Sequence, residues 1–194
     1  MIKAIILDCF GVLYVPLDGG FYRSKVKNYA QHRAELEDLG RQADYGLINQ
    51  DELITAVAEL TGLEKEFVGD NIVGSMARNL ELLDYAQGLR PKYKLGMLSN
   101  ISMHMMDQFF GAAERKQLFD DVVISSEVGM IKPHPEIYAL AAGRLGVDVS
   151  EVVMVDDNGG NCEGAVAAGM AAILYKDFVT AKKQLESIIR KAQD

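Results

Sequence analysis

Acidic and polar side chains follow three short apolar runs, at the points where buried strands would end. Asp8 follows the run IIL, Ser99 and Asn100 follow LGML, and Asp156 and Asp157 follow VVMV. A carboxylate at the end of a strand can act as a nucleophile, because the turn after the strand presents it to a substrate. A Ser-Asn pair at the start of a helix offers a hydroxyl group and free backbone N–H groups to an anion.

These residues are expected to converge, since the carboxyl ends of parallel strands meet at one edge of a sheet. Lys132, in the stretch IKPHPEIY, follows a further apolar run and would add a positive charge. Two carboxylates about 4 Å apart repel by about 4 kcal/mol at an effective dielectric constant of about 20. A cluster of Asp8, Asp156 and Asp157 therefore predicts a divalent cation, and carboxylate oxygens suit Mg²⁺, which also joins a substrate phosphate. Together these are the components of phosphoryl transfer through an aspartyl-phosphate.

Taken one at a time, each of these residues also has a purely structural explanation. An aspartate after a strand often forms a turn or caps a helix, and Ser-Asn is a common helix start. A single lysine before a proline can be a solvated surface charge. Only the combination favours a catalytic site.

The elements that would position this site follow from hydrophobic patterning. Five apolar runs predict strands at residues 3–7, 94–98, 122–124, 152–155 and 172–174. Four of them lack polar alternation, which is typical of parallel strands buried on both faces. Helical patterns separate or follow the later strands, at residues 103–110, 136–145, 162–168 and 180–191. Strands that alternate with helices predict an α/β fold with a Rossmann-like, doubly wound parallel sheet.

The segment from about residue 16 to residue 85, after the first predicted strand, breaks this alternation. It shows helical patterns near residues 21–45, 51–60 and 65–86 and no convincing strand. Asn49 followed by Glu52 resembles a capping box ahead of an apolar helical repeat. This segment is interpreted as a helical-bundle cap over the active edge of the sheet, at residues 16–85, with the core formed by residues 1–15 and 86–194.

Composition limits the classes of function. The 194-residue chain is 49% hydrophobic and 25% charged, as in an ordinary globular protein. Its net charge of −8 argues against a nucleic-acid or anionic-membrane partner, although a small phosphorylated substrate needs only a local positive field. Two cysteines, no 18-residue apolar run and no signal-like start predict a cytoplasmic protein. Nothing in the sequence fixes an oligomeric state.

In order along nearly the whole chain, the sequence has the segments LDCFGVL, LSN, IKPHPEIY and VDDNGGNCEGAVAAG. With the helical insertion after the first segment, this series resembles the haloacid dehalogenase superfamily of hydrolases. The resemblance implies a Mg²⁺-dependent phosphatase for a small metabolite, such as a sugar phosphate. In the site that it implies, Asp8 is the nucleophile, and Mg²⁺ is bound by Asp8, the backbone carbonyl of Phe10 and Asp157, with Asp156 assisting. Ser99, Asn100 and Lys132 would hold the phosphoryl group, and Lys132 would also balance charge.

Phe10 departs from the pattern of the superfamily's phosphatases, which usually have an aspartate there as general acid and base. A phenylalanine can offer its carbonyl to a metal but cannot move a proton, so proton transfer is either missing or relocated. His104 or a residue of the cap could replace it. General acid–base catalysis typically contributes about 10²–10⁴-fold to the rate.

Two alternatives to the phosphatase follow from this departure. One is a catalytically weak, phosphate-binding relative with a binding or regulatory role. The other is a 2-haloacid dehalogenase, because the superfamily's dehalogenases have an aromatic residue at this position. Those enzymes use no metal and lack the paired acids, so Asp156 and Asp157 count against the dehalogenase.

Overall fold

The computed structural model describes residues 1–17, 21–74 and 76–191 of the chain. The strands among these residues are β1 (Ala4–Leu7), β2 (Tyr14–Pro16), β3 (Met76–Arg78), β4 (Lys94–Ser99), β5 (Asp121–Ile124), β6 (Val152–Asp156) and β7 (Ala171–Leu174). The helices are α1 (Phe21–Lys25), α2 (Tyr29–Asp44), α3 (Gln50–Thr61), α4 (Lys65–Gly74), α5 (Leu80–Leu89), α6 (Met103–Phe109), α7 (Ala112–Leu118), α8 (Ser125–Val128), α9 (Pro135–Arg144), α10 (Gly159–Ala167) and α11 (Phe178–Lys191). A 3₁₀ turn, Val149–Glu151, precedes β6.

A five-stranded parallel sheet forms the centre of the fold, in the order β5-β4-β1-β6-β7. Strand β1 lies in the middle, where Ile6 is paired with Gly96 of β4 and with Met154 of β6. All five predicted strands are present, with their ends shifted by no more than one residue. The α/β, Rossmann-like fold class is therefore confirmed.

Both faces of this sheet are buried, which explains why its strands lack polar alternation. In β1, Ile5 and Leu7 belong to one hydrophobic cluster, which also includes residues of α5, α6 and α11. Ala4 and Ile6 point to the opposite face and belong to a second cluster with residues of α9 and α10. Helices thus cover both faces, as a doubly wound sheet requires.

A second, two-stranded sheet joins β2 to β3 in an antiparallel pair, with Tyr14 opposite Arg78. The prediction of a strand-free segment before residue 86 was wrong at β3. Each strand has only three residues, and the paired residues lie 60 to 64 positions apart along the chain. So short a run carries no usable periodicity, and only tertiary pairing makes it a strand.

Helices α1–α4 lie between β2 and β3 and share a hydrophobic cluster of their own, formed around Leu36, Leu53 and Val57. The predicted helix at 21–45 is two helices, separated near Asn28, which has a left-handed backbone (φ 56°). The predicted helix at 65–86 is also wrong, because α4 and α5 flank β3; position 75 of that range lies outside the described residues.

The division into a core and a cap stays a prediction. Its boundary between residues 85 and 86 falls within α5, and positions 18–20 of the predicted cap lie outside the described residues. No helix in the described ranges is both long and apolar enough to cross a membrane.

The start of α3 has the predicted capping box. The Asn49 side chain accepts a hydrogen bond from the backbone N–H of Glu52 at 3.0 Å, and the Glu52 carboxylate accepts one from the backbone N–H of Asn49 at 2.7 Å. Both bonds satisfy N–H groups that the helix itself leaves without partners.

Asn49→Ala is expected to lower the free energy of unfolding by about 1 kcal/mol, the usual cost of losing an N-cap side chain. The measurement is urea unfolding followed by circular dichroism. Glu52→Gln is the matched control, since glutamine also serves at this position of a capping box. Equal stability of Asn49→Ala and wild type would contradict a stabilising cap.

Candidate active site

The Lys132 side chain lies at the centre of the edge where β1, β4 and β6 end. It is 2% exposed, and its Nζ forms ion pairs with Asp8 Oδ1 at 2.9 Å and with Asp156 Oδ2 at 2.7 Å. Nζ also donates a hydrogen bond to the backbone carbonyl of Leu98 at 3.0 Å. All three donors of the ammonium group are therefore used. Burial alone would lower the pKa of Lys132, but Asp8 and Asp156 raise it above its ordinary value, which keeps the side chain charged.

Asn100 fixes the backbone of Lys132. Its Nδ2 donates to the carbonyl of Lys132 at 3.0 Å, and its Oδ1 accepts from the N–H of Lys132 at 2.9 Å. This reciprocal pair joins the end of β4 to the loop before α9. A second hydrogen on Nδ2 remains for a ligand, so the predicted phosphoryl-binding role of Asn100 stays open beside this structural one.

Asp156 is held by two residues that sequence reasoning did not assign a role, Asn158 and Asn161. The backbone N–H of Asn158 donates to Asp156 Oδ1 at 2.9 Å. The side-chain Nδ2 of Asn161 lies 3.0 Å from Oδ1 and 3.2 Å from Oδ2. Asp156 is fully buried, and its oxygens serve mainly to orient Lys132 and the start of α10. Both asparagines lie in the segment VDDNGGN, so their proximity to the acids was the available signal.

The predicted carboxylates do converge. Asp8, Asp156 and Asp157 each offer an oxygen, and these atoms all lie within 4.8 Å of one another. Burial raises the pKa of Asp8, against the effect of Lys132, and burial together with Asp156 raises the pKa of Asp157. Three carboxylates face a single ammonium group, so the site carries an excess of negative charge that a bound cation would offset.

Gly11 makes room for Asp157. Its backbone has φ of 75°, and a Cβ atom at this position would clash with the Asp157 carboxyl group. A residue with a side chain would therefore both strain the turn and displace this carboxylate. The chain after β1 is built to let Asp157 approach Asp8 closely, which fits a shared cation.

Phe10 places its ring on the hydrophobic side of this turn. The ring is half-buried and packs edge-to-face against Phe109, with 4.8 Å between ring centres. No donor among the described residues bonds to the Phe10 carbonyl, so this oxygen is free to serve a metal. The carbonyl and the carboxylates of Asp8 and Asp157 are the oxygen ligands that Mg²⁺ prefers.

A cavity of about 350 Å³ opens at this edge, lined by Asp8, Phe10, Asn100, Lys132 and Asp157 among others. Ser99, in contrast, is fully buried and does not line this cavity. Its hydroxyl has no hydrogen-bond partner among the described residues. A buried hydroxyl without a partner costs about 1–3 kcal/mol, so this group is suited to a ligand that reaches it.

Two other residues with reactive side chains, Cys9 and His104, do not line this cavity. The Cys9 thiol is buried next to Asp8, and burial raises its pKa far above the ordinary value, so it stays protonated. His104 is exposed and lines a separate cavity with Asn49 and Gln108, which shares no residue with the Asp8 cavity. His104 is therefore not positioned to replace the missing acid.

Residues 2–169 match the model of the haloacid dehalogenase-like hydrolase family, and the chain belongs to this family. It is 30% identical to the (S)-2-haloacid dehalogenase of Xanthobacter autotrophicus over 193 residues, which cover 88% of this chain and 74% of that enzyme. It is 41% identical to the bifunctional epoxide hydrolase 2 of Rattus norvegicus over 75 residues, which cover 39% of this chain and only 14% of that protein.

The fold is similar to a HAD family enzyme of Bacteroides thetaiotaomicron solved in complex with magnesium and inorganic phosphate. The TM-score is 0.76 over 91% of this chain and 95% of the other, at 24% sequence identity. This likeness shows a shared fold.

Magnesium should stabilise the protein by binding the folded state. At a concentration of about 100 times its dissociation constant, a ligand adds about 2.7 kcal/mol, and each kcal/mol raises Tm by about 2–4 °C in a chain of this size. We expect Tm to rise by several degrees in millimolar Mg²⁺, and Asp157→Asn to abolish this rise.

The control is Asp84→Asn, which makes the same chemical change at an exposed position on α5. It should keep the Mg²⁺ response of the wild type. A wild-type Tm that is indifferent to Mg²⁺, with and without inorganic phosphate, would count against the metal site.

Proposed function

We propose that this protein is a Mg²⁺-dependent phosphatase that hydrolyses a small phosphorylated metabolite through an aspartyl-phosphate on Asp8. The carrying observation is the group of three carboxylates within 4.8 Å of one another around one buried lysine. A bound cation would offset the repulsion that Lys132 leaves uncompensated, and a hard cation beside a nucleophilic carboxylate is suited to phosphoryl transfer. Mg²⁺ held by Asp8, the Phe10 carbonyl and Asp157, with Asp156 assisting, would neutralise charge on the phosphoryl group.

The residues of the chain divide the remaining work. Asp8 Oδ1 is held by the Lys132 ammonium and by the backbone N–H of Cys9 at 2.6 Å, which leaves Oδ2 to attack phosphorus. Lys132 balances the charge of the nucleophile and of the bound anion. Asn100 holds Lys132 in place, and its free amide hydrogen, with the Ser99 hydroxyl, would bind phosphoryl oxygens.

A second candidate function is 2-haloacid dehalogenation, in which Asp8 would attack carbon and displace halide. The aromatic Phe10 and the similarity to the Xanthobacter enzyme favour it. The acidic cluster disfavours it, because Asp157 at the mouth of the site would repel a carboxylate substrate unless a cation intervened. A third candidate, a phosphate-binding relative with weak or no turnover, keeps the anion site without the proton transfer.

A panel of small substrates separates these three functions. Sugar phosphates, nucleotides, acyl phosphates and 2-haloacids are incubated with the protein, with Mg²⁺ or with a chelator. We expect phosphate release that requires Mg²⁺ and no halide release. Halide release would establish the dehalogenase instead, and phosphate binding without turnover would establish the binding protein.

Asp8→Asn is expected to abolish phosphate release. The variant should still bind inorganic phosphate, because Lys132 and Asn100 are unchanged. The amide keeps the shape of the carboxyl group but cannot form the acyl phosphate. Turnover is measured by phosphate release and binding by calorimetry, with Asp84→Asn as the control. Full turnover in pure Asp8→Asn protein would contradict covalent catalysis by Asp8.

A further inference from the structure

A phosphatase of this design still needs a proton donor for its leaving group. Attack by Asp8 and departure of the leaving oxygen are roughly in line on opposite sides of phosphorus. The donor must therefore face the sheet edge from across the bound phosphoryl group. Phe10 cannot provide it, and His104 lies elsewhere.

Asp44, the last residue of α2, faces this edge. It lines a cavity of about 450 Å³ together with Asn100, Lys132, Asn158 and Asn161. The same four residues line the Asp8 cavity, so the two cavities adjoin along them.

Asp44 also lines a third cavity, of about 270 Å³, that contains Phe10, Met76 and Asn100. These three residues line the Asp8 cavity as well. Asp44 thus lines two cavities that each share wall residues with the Asp8 cavity.

The end of α2 is fixed to the catalytic edge by Ser125. The Ser125 hydroxyl donates to the backbone carbonyl of Asp44 at 2.6 Å and accepts from the backbone N–H of Ile101 at 2.9 Å. Ser125 is fully buried directly after β5, and Ile101 follows Asn100. This bridge sets the position of Asp44 relative to the residues that hold Lys132, as a group that touches substrate requires.

The Asp44 carboxyl group has no structural duty in the described part of the chain. No side chain or N–H there donates a hydrogen bond to it, and none forms an ion pair with it. The charged neighbours in the larger cavity are otherwise engaged, Glu37 with Arg33 and Arg41 with Asp38.

Its protonation also suits the task. Burial raises the pKa of Asp44 to about 6, while Lys132 acts in the opposite direction. A carboxyl group with a pKa near neutrality is present in both forms at physiological pH, which is the condition for acting as an acid and then as a base. Asp44 is half-buried, has no hydrogen-bond partner for its carboxyl group in the described part of the chain, and lies beside the Asp8 cavity, which makes it a candidate functional group.

We propose that Asp44 is the general acid and base of this hydrolase, in place of the residue missing at position 10. As the Asp8–P bond forms and the P–O bond to the leaving group breaks, the Asp44 carboxyl gives its proton to the leaving oxygen, and an alcohol departs. Asp44, now a carboxylate, takes a proton from the water that attacks phosphorus, and the Asp8–P bond breaks. Hydrogen phosphate, free Asp8 and protonated Asp44 remain. This inference rests on the proposed phosphatase function.

The test compares wild type, Asp44→Asn and the control Glu35→Gln with two substrates. Glu35 is an exposed carboxylate on the same helix. Ethyl phosphate has a poor leaving group that needs a proton, whereas 4-nitrophenyl phosphate has a good one that does not. We expect Asp44→Asn to lower kcat/KM for ethyl phosphate by about 10²–10⁴-fold, the usual contribution of acid–base catalysis.

The first turnover with 4-nitrophenyl phosphate should be far less affected. The second step loses its base, so the phosphorylated enzyme should accumulate and appear in intact mass spectra as one added phosphoryl group. Glu35→Gln should behave as wild type with both substrates.

Three outcomes would overturn the inference. Equal losses with both substrates would assign Asp44 to substrate binding, and unchanged ethyl phosphate turnover in Asp44→Asn would remove it from the reaction. A wild type that releases no phosphate from any ester would defeat the proposed function and this inference with it, so the two failures are distinguishable.

A Tm measurement and a second-site variant distinguish the loss of a proton donor from a folding defect. Asp44→Asn leaves the backbone bond to Ser125 intact, and its Tm is compared with that of Glu35→Gln. Phe10→Asp, added to Asp44→Asn, returns a carboxyl to the turn after β1. We expect this addition to recover part of the lost ethyl phosphate turnover.

Asp44→Glu should retain more ethyl phosphate turnover than Asp44→Asn, since glutamate keeps a carboxyl group. The reverse order would contradict proton transfer by Asp44.

Discussion

The buried ammonium group of Lys132 is the constraint on which the rest of the site depends. A charge taken out of water is stable only if its partners are in place, and removing one partner of such a pair typically costs about 3–5 kcal/mol. Here the partners come from three parallel strands: Asp8 after β1, the carbonyl of Leu98 in β4, and Asp156 at the end of β6. The order β4-β1-β6 brings these three positions side by side. The sheet thus fixes Asp8 by fixing its counter-ion.

One lysine cannot neutralise three carboxylates, so the site keeps a net negative charge that a bound cation would offset. Asp157 lies outside the lysine's hydrogen-bonding set, at the surface, where it can reach an ion that also contacts Asp8. Gly11 permits that approach because it has no side chain. The same turn carries Phe10, whose ring is used for packing against Phe109 while its carbonyl stays free. In the proposed mechanism this turn would therefore serve metal binding alone, and proton transfer would fall to Asp44.

The sequence was sufficient for the parallel sheet and for the acidic cluster, because both depend on short-range patterns. Runs such as 152–155 are apolar throughout, since both sides of the strand are covered. A carboxylate directly after such a run must lie at the carboxyl edge of the sheet. The pairing of β2 with β3 had no such signal, because three-residue strands far apart in sequence are defined only by their contact. The sequence also carries no signal that would single out Asp44. It is one of several acids on α2, and only the position where that helix ends distinguishes it from Glu35 or Asp38.

The pairing of β2 with β3 has a mechanical consequence. The chain leaves the central sheet for α1–α4 through β2 and returns through β3, so both connections run through one narrow antiparallel ribbon. Pro16 of β2 and Met76 of β3 are themselves part of the wall around Asp8. Any rotation of those helices about the ribbon would move this wall and, at the same time, strain the Ser125 bridge at the far end of α2. The β2–β3 pair and the Ser125 hydrogen bond therefore attach helices α1–α4 to the central sheet at two separate places, one on each side of the cavities that Asp44 lines.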